Sequence, residues 1–292
     1  WPPVEFPVIE FRPSDLKRGT NGWRRLCKWV REACETFGCL EVTFELKKEL
    51  IEVPVQRKQK NVSPLPYHGW VGPCNQVSLL YEGFRLGDAS NYDSVKSFAQ
   101  LMWPDGHPRF CNTIHTMATQ IEELNKLIWL MIIDSYGLGK KWEFVMINYK
   151  SLRGLFAHTD KHVSTIICDD QDSGLEIEVN GQWIKLSLSP SSFCFVVGDP
   201  LKAWSNERLK AVNHREMMSG DKDQFSIATF AILVEDTIIK APKELIDEQH
   251  PQLYKDFDFM DFFLFAFSNP AKHIDSGEQR QAFASLSPPV SD

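Results

Sequence analysis

Leu155-Phe156-Ala157-His158-Thr159-Asp160, followed 56 residues after His158 by Val212-Asn213-His214-Arg215 and then by Gln224-Phe225-Ser226, is the stretch on which the fold of this 292-residue chain turns. The segments 142–149, 155–157, 163–167, 175–179, 183–186, 193–197 and 225–234 around it are short and rich in β-branched and aromatic residues. Turn clusters separate them: Asp172-Ser173-Gly174, Asn180-Gly181, Ser189-Pro190-Ser191-Ser192 and Gly220-Asp221. Asn180-Gly181 between alternating segments predicts a tight hairpin. Many regularly spaced short strands behind a helical front end predict an α+β fold, a double-sheet jelly roll with helices packed outside.

His158 and Asp160 are two apart, so on a strand they project to the same side. Together with the distant His214 they offer two imidazoles and one carboxylate, the ligand set of non-haem Fe(II) oxygenases, with further positions left open on the metal. An isolated His-x-Asp is a weak signal, equally readable as a polar turn, and a distant His adds little in a chain with 8 histidines. The context raises it, because both flanks read as strand and place the donors at strand ends. Phe156, Phe193 and Trp204 are candidate walls of an apolar pocket beside the motif, and each reads equally well as core.

Ahead of this core, Pro7-Val8-Ile9-Glu10-Phe11 alternates as an opening strand. Trp23, Leu26, Cys27, Val30 and Cys34 recur at helix spacing over 23–37, with Gly38 as a stop, and 39–44 alternates as a strand. Residues 45–57 predict a helix interrupted by Pro54, and 61–75 a loop in which His68 has no neighbours to complete a site. Met102-Trp103-Pro104-Asp105-Gly106 reads as a turn. The clearest helix spans 112–136, where Ile114, Met117, Ile121, Leu124, Ile128 and Met131 form a core-facing stripe. After the core, 241–246 opens a helix near Pro242, 258–267 reads as an amphipathic helix capping the core, and the tail from Ser285 is Ser/Pro-rich and frayed. The division is 1–140, a helical and mixed front; 141–240, the jelly-roll core; and 241–292, a C-terminal helix and tail, all in one integrated domain.

A 43% hydrophobic fraction with 9 Trp, 6 Tyr and 20 Phe supports a sizeable core. A net charge of -7 without a basic block argues against nucleic acid. No apolar run is long enough to span a bilayer and no signal peptide is expected from Trp1 onward, although the sequence begins without Met. Seven scattered cysteines without a Cys-x-x-Cys read as buried thiols of a cytoplasmic protein.

On Tyr67-His68-Gly69-Trp70-Val71-Gly72, His158-Thr159-Asp160-Lys161, Asp172-Ser173-Gly174-Leu175-Glu176-Ile177, Gly198-Asp199 and His214-Arg215, the sequence resembles the plant Fe(II)/2-oxoglutarate-dependent dioxygenases over nearly its whole length. Phe156-Ala157-His158-Thr159-Asp160-Lys161 and Ala241-Pro242-Lys243-Glu244-Leu245 are most similar to the group that modifies glucosinolate side chains by forming alkenyl and hydroxyalkyl products. The resemblance implies a double-stranded β-helix, cupin-like core. It implies iron ligands at His158, Asp160 and His214, with Fe(II) and 2-oxoglutarate as cofactors and ascorbate as a reductant. Its implied partner is a small plant metabolite, oxidised by a monomer. A carboxylate at Asp160 implies hydroxylation or desaturation, since halogenating relatives carry a small residue there. Family members hold the far carboxylate of 2-oxoglutarate with a tyrosine, here Tyr149, and an Arg-x-Ser pair, whose serine falls on Ser226 and whose arginine falls on Gln224.

Gln224 is the departure with most consequence. A guanidinium gives a carboxylate a charged fork, and an amide gives a neutral donor. Three readings follow: another cation such as Lys161 or Arg153 supplies the charge; the site serves a different cosubstrate; or oxidation is abandoned, and the pocket serves a non-oxidative cyclase, isomerase or lyase reaction or only binds a ligand. Strand parity sets Arg153 opposite to His158, against that rescue. The segment 150–155 is also shorter than the Pro-rich loop usual in the family.

Overall fold

The computed structural model describes residues 9, 11, 15–36, 39–43, 53–62, 69–70, 72, 83–138, 146–151, 157–169, 174–186, 188, 192–217, 226–268 and 270–286. Chain order runs α1 (Asn21–Thr36), β1 (Cys39–Thr43), α2 (Val55–Lys58), β2 (Arg85–Gly87), α3 (Tyr92–Met102), α4 (Pro108–Ser135), β3 (Met146–Ser151), β4 (Ser164–Asp169), β5 (Leu175–Val179), β6 (Gln182–Lys185), β7 (Ser192–Val197), α5 (Asp199–Trp204), β8 (His214–Glu216), β9 (Ser226–Leu233), β10 (Ile238–Ile239), β11 (Phe257–Asp258), α6 (Phe259–Ala266) and α7 (Gln279–Ala284).

Two antiparallel sheets form the centre. The larger has the order β1-β7-β4-β9-β3-β2 and the smaller β6-β5-β8. Side chains alternate across the larger sheet. Ile167, Cys194, Val196, Ala228 and Phe230 face the smaller sheet and pack with its Leu175 and Ile177. Ile166, Phe193, Phe195, Val197, Ala231 and Leu233 face the other way and join α1, α4 and α6 in the main core. The hairpin at Asn180-Gly181 joins β5 to β6 with both residues at positive φ, 53° and 75°, as a primed two-residue turn requires.

The helices follow their apolar spacing. In α1, Trp23, Leu26, Cys27, Val30 and Cys34 are all buried. The long helix α4 begins four residues before the expected 112: Pro108 fits the first helical position, and His107 Nδ1 accepts a hydrogen bond from the Phe110 N–H at 3.0 Å. Helix α3 was not expected, yet Val95, Phe98, Ala99 and Met102 repeat at helix spacing and the Asn91 side chain caps the Asp93 N–H. Helix α6 buries Phe259, Phe262, Phe263 and Ala266, the capping role read from 258–267.

Other expectations are corrected. Of the helix expected over 45–57, residues 45–52 lie outside the described residues, and Pro54 stands at the N-terminal cap of the four-residue α2, where its missing N–H costs nothing. The expected helix at 241–246 is a single 3-10 turn, Lys243–Leu245. The C-terminal region carries α7 and a bridge between Ser285 and Tyr254 before the described residues end at 286. Of the opening strand only Ile9 and Phe11 are described, and of the 61–75 loop Val62 and Gly69 form a bridge while His68 falls outside. No helix among the described residues is long and apolar enough to cross a membrane.

Candidate metal centre

His158, Asp160 and His214 converge, each offering one ligand atom, with these atoms all within 4.8 Å of one another. Asp160 Oδ1 lies 3.5 Å from His158 Nε2 and 4.0 Å from His214 Nε2. Metal–nitrogen and metal–oxygen bonds of about 2.1 Å place neighbouring ligand atoms about 3 Å apart, so a small closure completes one face of an ion. Neutral imidazoles with a carboxylate suit a divalent transition metal, and the residues fit Fe(II).

The local structure differs from the expected strand. His158 sits in an isolated bridge to His214, with reciprocal N–H to carbonyl bonds of 3.0 and 2.9 Å. Asp160 is beyond that bridge, in the turn that leads to β4. The two still face one point because tertiary contacts hold the turn, where parity along a strand was the expected reason. Asp199 N–H donates to the Asp160 carbonyl at 2.8 Å, and Gly198 N–H to the Val163 carbonyl at 3.0 Å. Gly198 is required by close approach, since a Cβ there would fall 1.7 Å from the His162 carbonyl oxygen.

Two further contacts orient the donors. Thr165 Oγ1 donates to Asp160 Oδ2 at 2.5 Å, leaving Oδ1 toward the imidazoles. His214 Nδ1 lies 3.3 Å from the Val212 carbonyl oxygen, and a proton shared there leaves Nε2 as the bare ligand atom. Burial alone would raise the Asp160 carboxyl; the facing His214 and His158 outweigh it and hold the group far below the usual carboxylate range.

Behind the turn lies a buried ion cluster. Asp199, fully buried, accepts from Lys161 Nζ at 2.5 Å, Thr159 Oγ1 at 3.0 Å and Arg280 Nη1 at 2.5 Å. Ser276 Oγ accepts from the Thr159 N–H at 3.1 Å, so the C-terminal segment is tied to the turn on both sides of Asp160. Lys161 is therefore committed to Asp199, Thr159 and the Ser276 carbonyl, which corrects its reading as a cation for a cosubstrate.

The pocket over the three donors is walled by Thr165, Ile167, Leu175, Glu216, Ser226, Ala228 and Phe230. Ser226 is thus at the site, while Tyr149 is placed by backbone register on β3, opposite Phe230 on one side and Gly87 on the other. Gln224, Arg153 and Phe156 lie outside the described residues. Phe193 and Trp204 are not pocket walls: both are buried in the main core, Phe193 because its parity on β7 turns it away from Cys194 and Val196. Thr165 and Phe230, missed from the sequence, share that parity rule, since they pair across β4 and β9 and face the site together.

Comparison with known proteins agrees with this geometry. Residues 142–232 match the 2OG-Fe(II) oxygenase superfamily. The chain is 34% identical, in an alignment of 301 positions that covers 90% of this chain and 92% of the relative, to the Arabidopsis thaliana protein named probable 2-oxoglutarate-dependent dioxygenase AOP1. It is 25% identical to a second Arabidopsis thaliana protein, named probable inactive 2-oxoglutarate-dependent dioxygenase AOP2, across 93% of this chain and 96% of that one. The crystal structure of the dioxygenase for auxin oxidation from rice superposes with a TM-score of 0.78 at 25% identity, covering 96% of this chain and all of that one. With a metal-ready triad on a scaffold shared with these enzymes, the chain belongs to the plant 2-oxoglutarate-dependent dioxygenases of specialised metabolism, oxygenases whose cofactors are Fe(II) and 2-oxoglutarate.

Proposed function

We propose that His158, Asp160 and His214 hold Fe(II), that Ser226 and Tyr149 position 2-oxoglutarate, and that the pocket oxidises a C–H bond of a small plant metabolite by hydroxylation, desaturation or ring formation. The convergence of the three donor atoms within 4.8 Å carries this reading. Bound Fe(II) and 2-oxoglutarate supply the oxidising power, coupling O2 to decarboxylation of the cosubstrate. The chain's own residues do the rest. Thr165 turns one oxygen of Asp160 away from the metal, and the Val212 carbonyl sets the His214 ring. Ile167, Leu175, Ala228 and Phe230 keep the reacting carbon among apolar walls and exclude water.

The two facing sheets suit the opposite walls of a jelly roll, with the front, core and C-terminal elements as one integrated domain. Buried, unbridged Cys27, Cys34, Cys111, Cys168 and Cys194 suit the reducing cytoplasm. Purified protein given Fe(II), ascorbate, 2-oxoglutarate and a panel of plant metabolites is expected to form succinate in step with an oxidised product, and Asp160→Ala to form neither. No substrate-linked succinate across a broad panel contradicts the reading. The neutral Gln224 favours one second reading, a non-oxidative reaction at the same triad; turnover without O2 and 2-oxoglutarate would establish it.

A further inference from the structure

Resting on the cosubstrate reading above, we infer that Arg85 is the cation that receives the far carboxylate of 2-oxoglutarate in this chain. A dicarboxylate chelated to metal at one end buries its other charge in the pocket, and a buried anion needs a charged or strongly hydrogen-bonded partner. The residues described as lining the pocket include no lysine or arginine. Among the described residues four cations are buried: Lys58, Arg85, Lys161 and Arg280. Lys161 and Arg280 are committed to Asp199. Lys58 stands over Phe84, which packs with α3 and α4 on the far side of the sheet from the pocket.

Arg85 is set apart from these three by its place in the sheet. Register runs Arg85–Ser151–Ala228–Ile167 across β2, β3, β9 and β4, and directly paired residues share a face. Ala228 and Ile167 line the pocket, so Arg85 is on the pocket face, while its neighbour Leu86 packs with α3 on the other. Its guanidinium carbon is 5.3 Å from the ring centre of Phe230, itself a pocket wall. The strand is pinned at this residue, with Arg85 N–H donating to the Gly69 carbonyl at 3.0 Å and Asn61 Nδ2 to the Arg85 carbonyl at 3.1 Å. Two strand spacings, about 10 Å, separate Arg85 from Ala228. An extended arginine spans part of that gap and the five-carbon cosubstrate the remainder. The charge absent at Gln224 on the approach to β9 is thus supplied two strands away from β2.

The test is binding to anaerobic, Mn(II)-loaded protein by calorimetry, with 2-oxoglutarate and with 2-oxobutyrate, a 2-oxo acid lacking the far carboxylate. Arg85→Gln is expected to weaken 2-oxoglutarate by at least about 30-fold, the lower range for losing a charged partner of a buried carboxylate. Its affinity for 2-oxobutyrate and for Mn(II) should match the wild type, Arg85→Lys should fall between, and Arg85→Gln/Gln224→Arg should regain 2-oxoglutarate binding. Arg85→Gln binding 2-oxoglutarate as the wild type does would overturn the assignment alone. So would an equal loss for both acids, which marks a structural role. A wild type that binds Mn(II) and no 2-oxoglutarate would overturn the cosubstrate reading as well.

Discussion

Thr165 Oγ1 donates a 2.5 Å hydrogen bond to Asp160 Oδ2, so the carboxylate of the metal turn is held from the first strand that follows it. Thr165 pairs with Phe230 in register, which fixes its side chain on the pocket face. Thr165→Val keeps the shape and removes the donor. Outer-shell partners of this type are worth about 10- to 100-fold in metal affinity. A competition titration with Mn(II) should show that loss at nearly unchanged thermal stability; undiminished affinity would remove Thr165 from the account.

Gly198 passes against the metal turn more closely than any side chain allows, with a Cβ position 1.7 Å from the His162 carbonyl oxygen. Its φ of -94° suits any residue, so contact alone excludes alanine. Gly198→Ala should force the 160–163 turn outward, costing about 1–3 kcal/mol as overpacking does, or more. Denaturant unfolding reads the stability and Mn(II) titration the displaced Asp160. A variant normal in both would contradict the described approach of Gly198.

Arg280 reaches from α7 to Asp199 and Glu207 and is almost fully buried. Arg280→Met should destabilise by about 3 kcal/mol, the lower end for breaking a buried pair, because Asp199 keeps Lys161 and Thr159 on Oδ2 and loses its charged donor on Oδ1. Hydrogen exchange should then rise at 157–162 as well as in α7, since Ser276 and Asp199 join the two. Exchange confined to α7 would contradict that coupling.

Glu207 accepts from Tyr254 Oη and from Arg280 Nη2 at 3.1 Å. Burial alone would raise its carboxyl, but the Tyr254 bond and the Lys202 and Arg280 charges outweigh it and lower it below the ordinary value. A carboxyl lowered on folding adds stability above the unfolded value, about 4.3, and loses it as pH falls toward the folded value. Glu207→Gln should therefore be less stable at pH 7 and show a shallower acid-side decline. An unchanged decline in denaturation midpoints between pH 6 and the acid limb would contradict this.

Much of this was legible before any coordinates. His158, Asp160 and His214 do come together as the ligand set suggests, though contacts that hold a turn, and not strand parity, bring this about, and α1 and α4 are legible because their apolar spacing is long and regular. Helix α3 carried the same signal in Val95, Phe98, Ala99 and Met102 but sits in a polar stretch, where the stripe is easily passed over. Nearness along the chain leaves wall and core equally open for Phe193 and Trp204; strand register, which sends Phe193 into the main core, is a pairing property that no local pattern carries. The Lys161–Asp199–Arg280 cluster joins residues up to 119 apart in sequence, and Arg85 reaches the pocket face through three successive strand pairings. Neither has a local signature.

The most direct measurement of the central claim is an anaerobic Fe(II) titration followed by 2-oxoglutarate, monitored by the visible charge-transfer band of a metal-chelated 2-oxo acid. The expected result is one Fe(II) per chain, a band that appears only with both components present, and loss of the metal in His158→Ala, Asp160→Ala and His214→Ala. Stoichiometric Fe(II) binding that survives those substitutions, or 2-oxoglutarate binding that needs no metal, would contradict it.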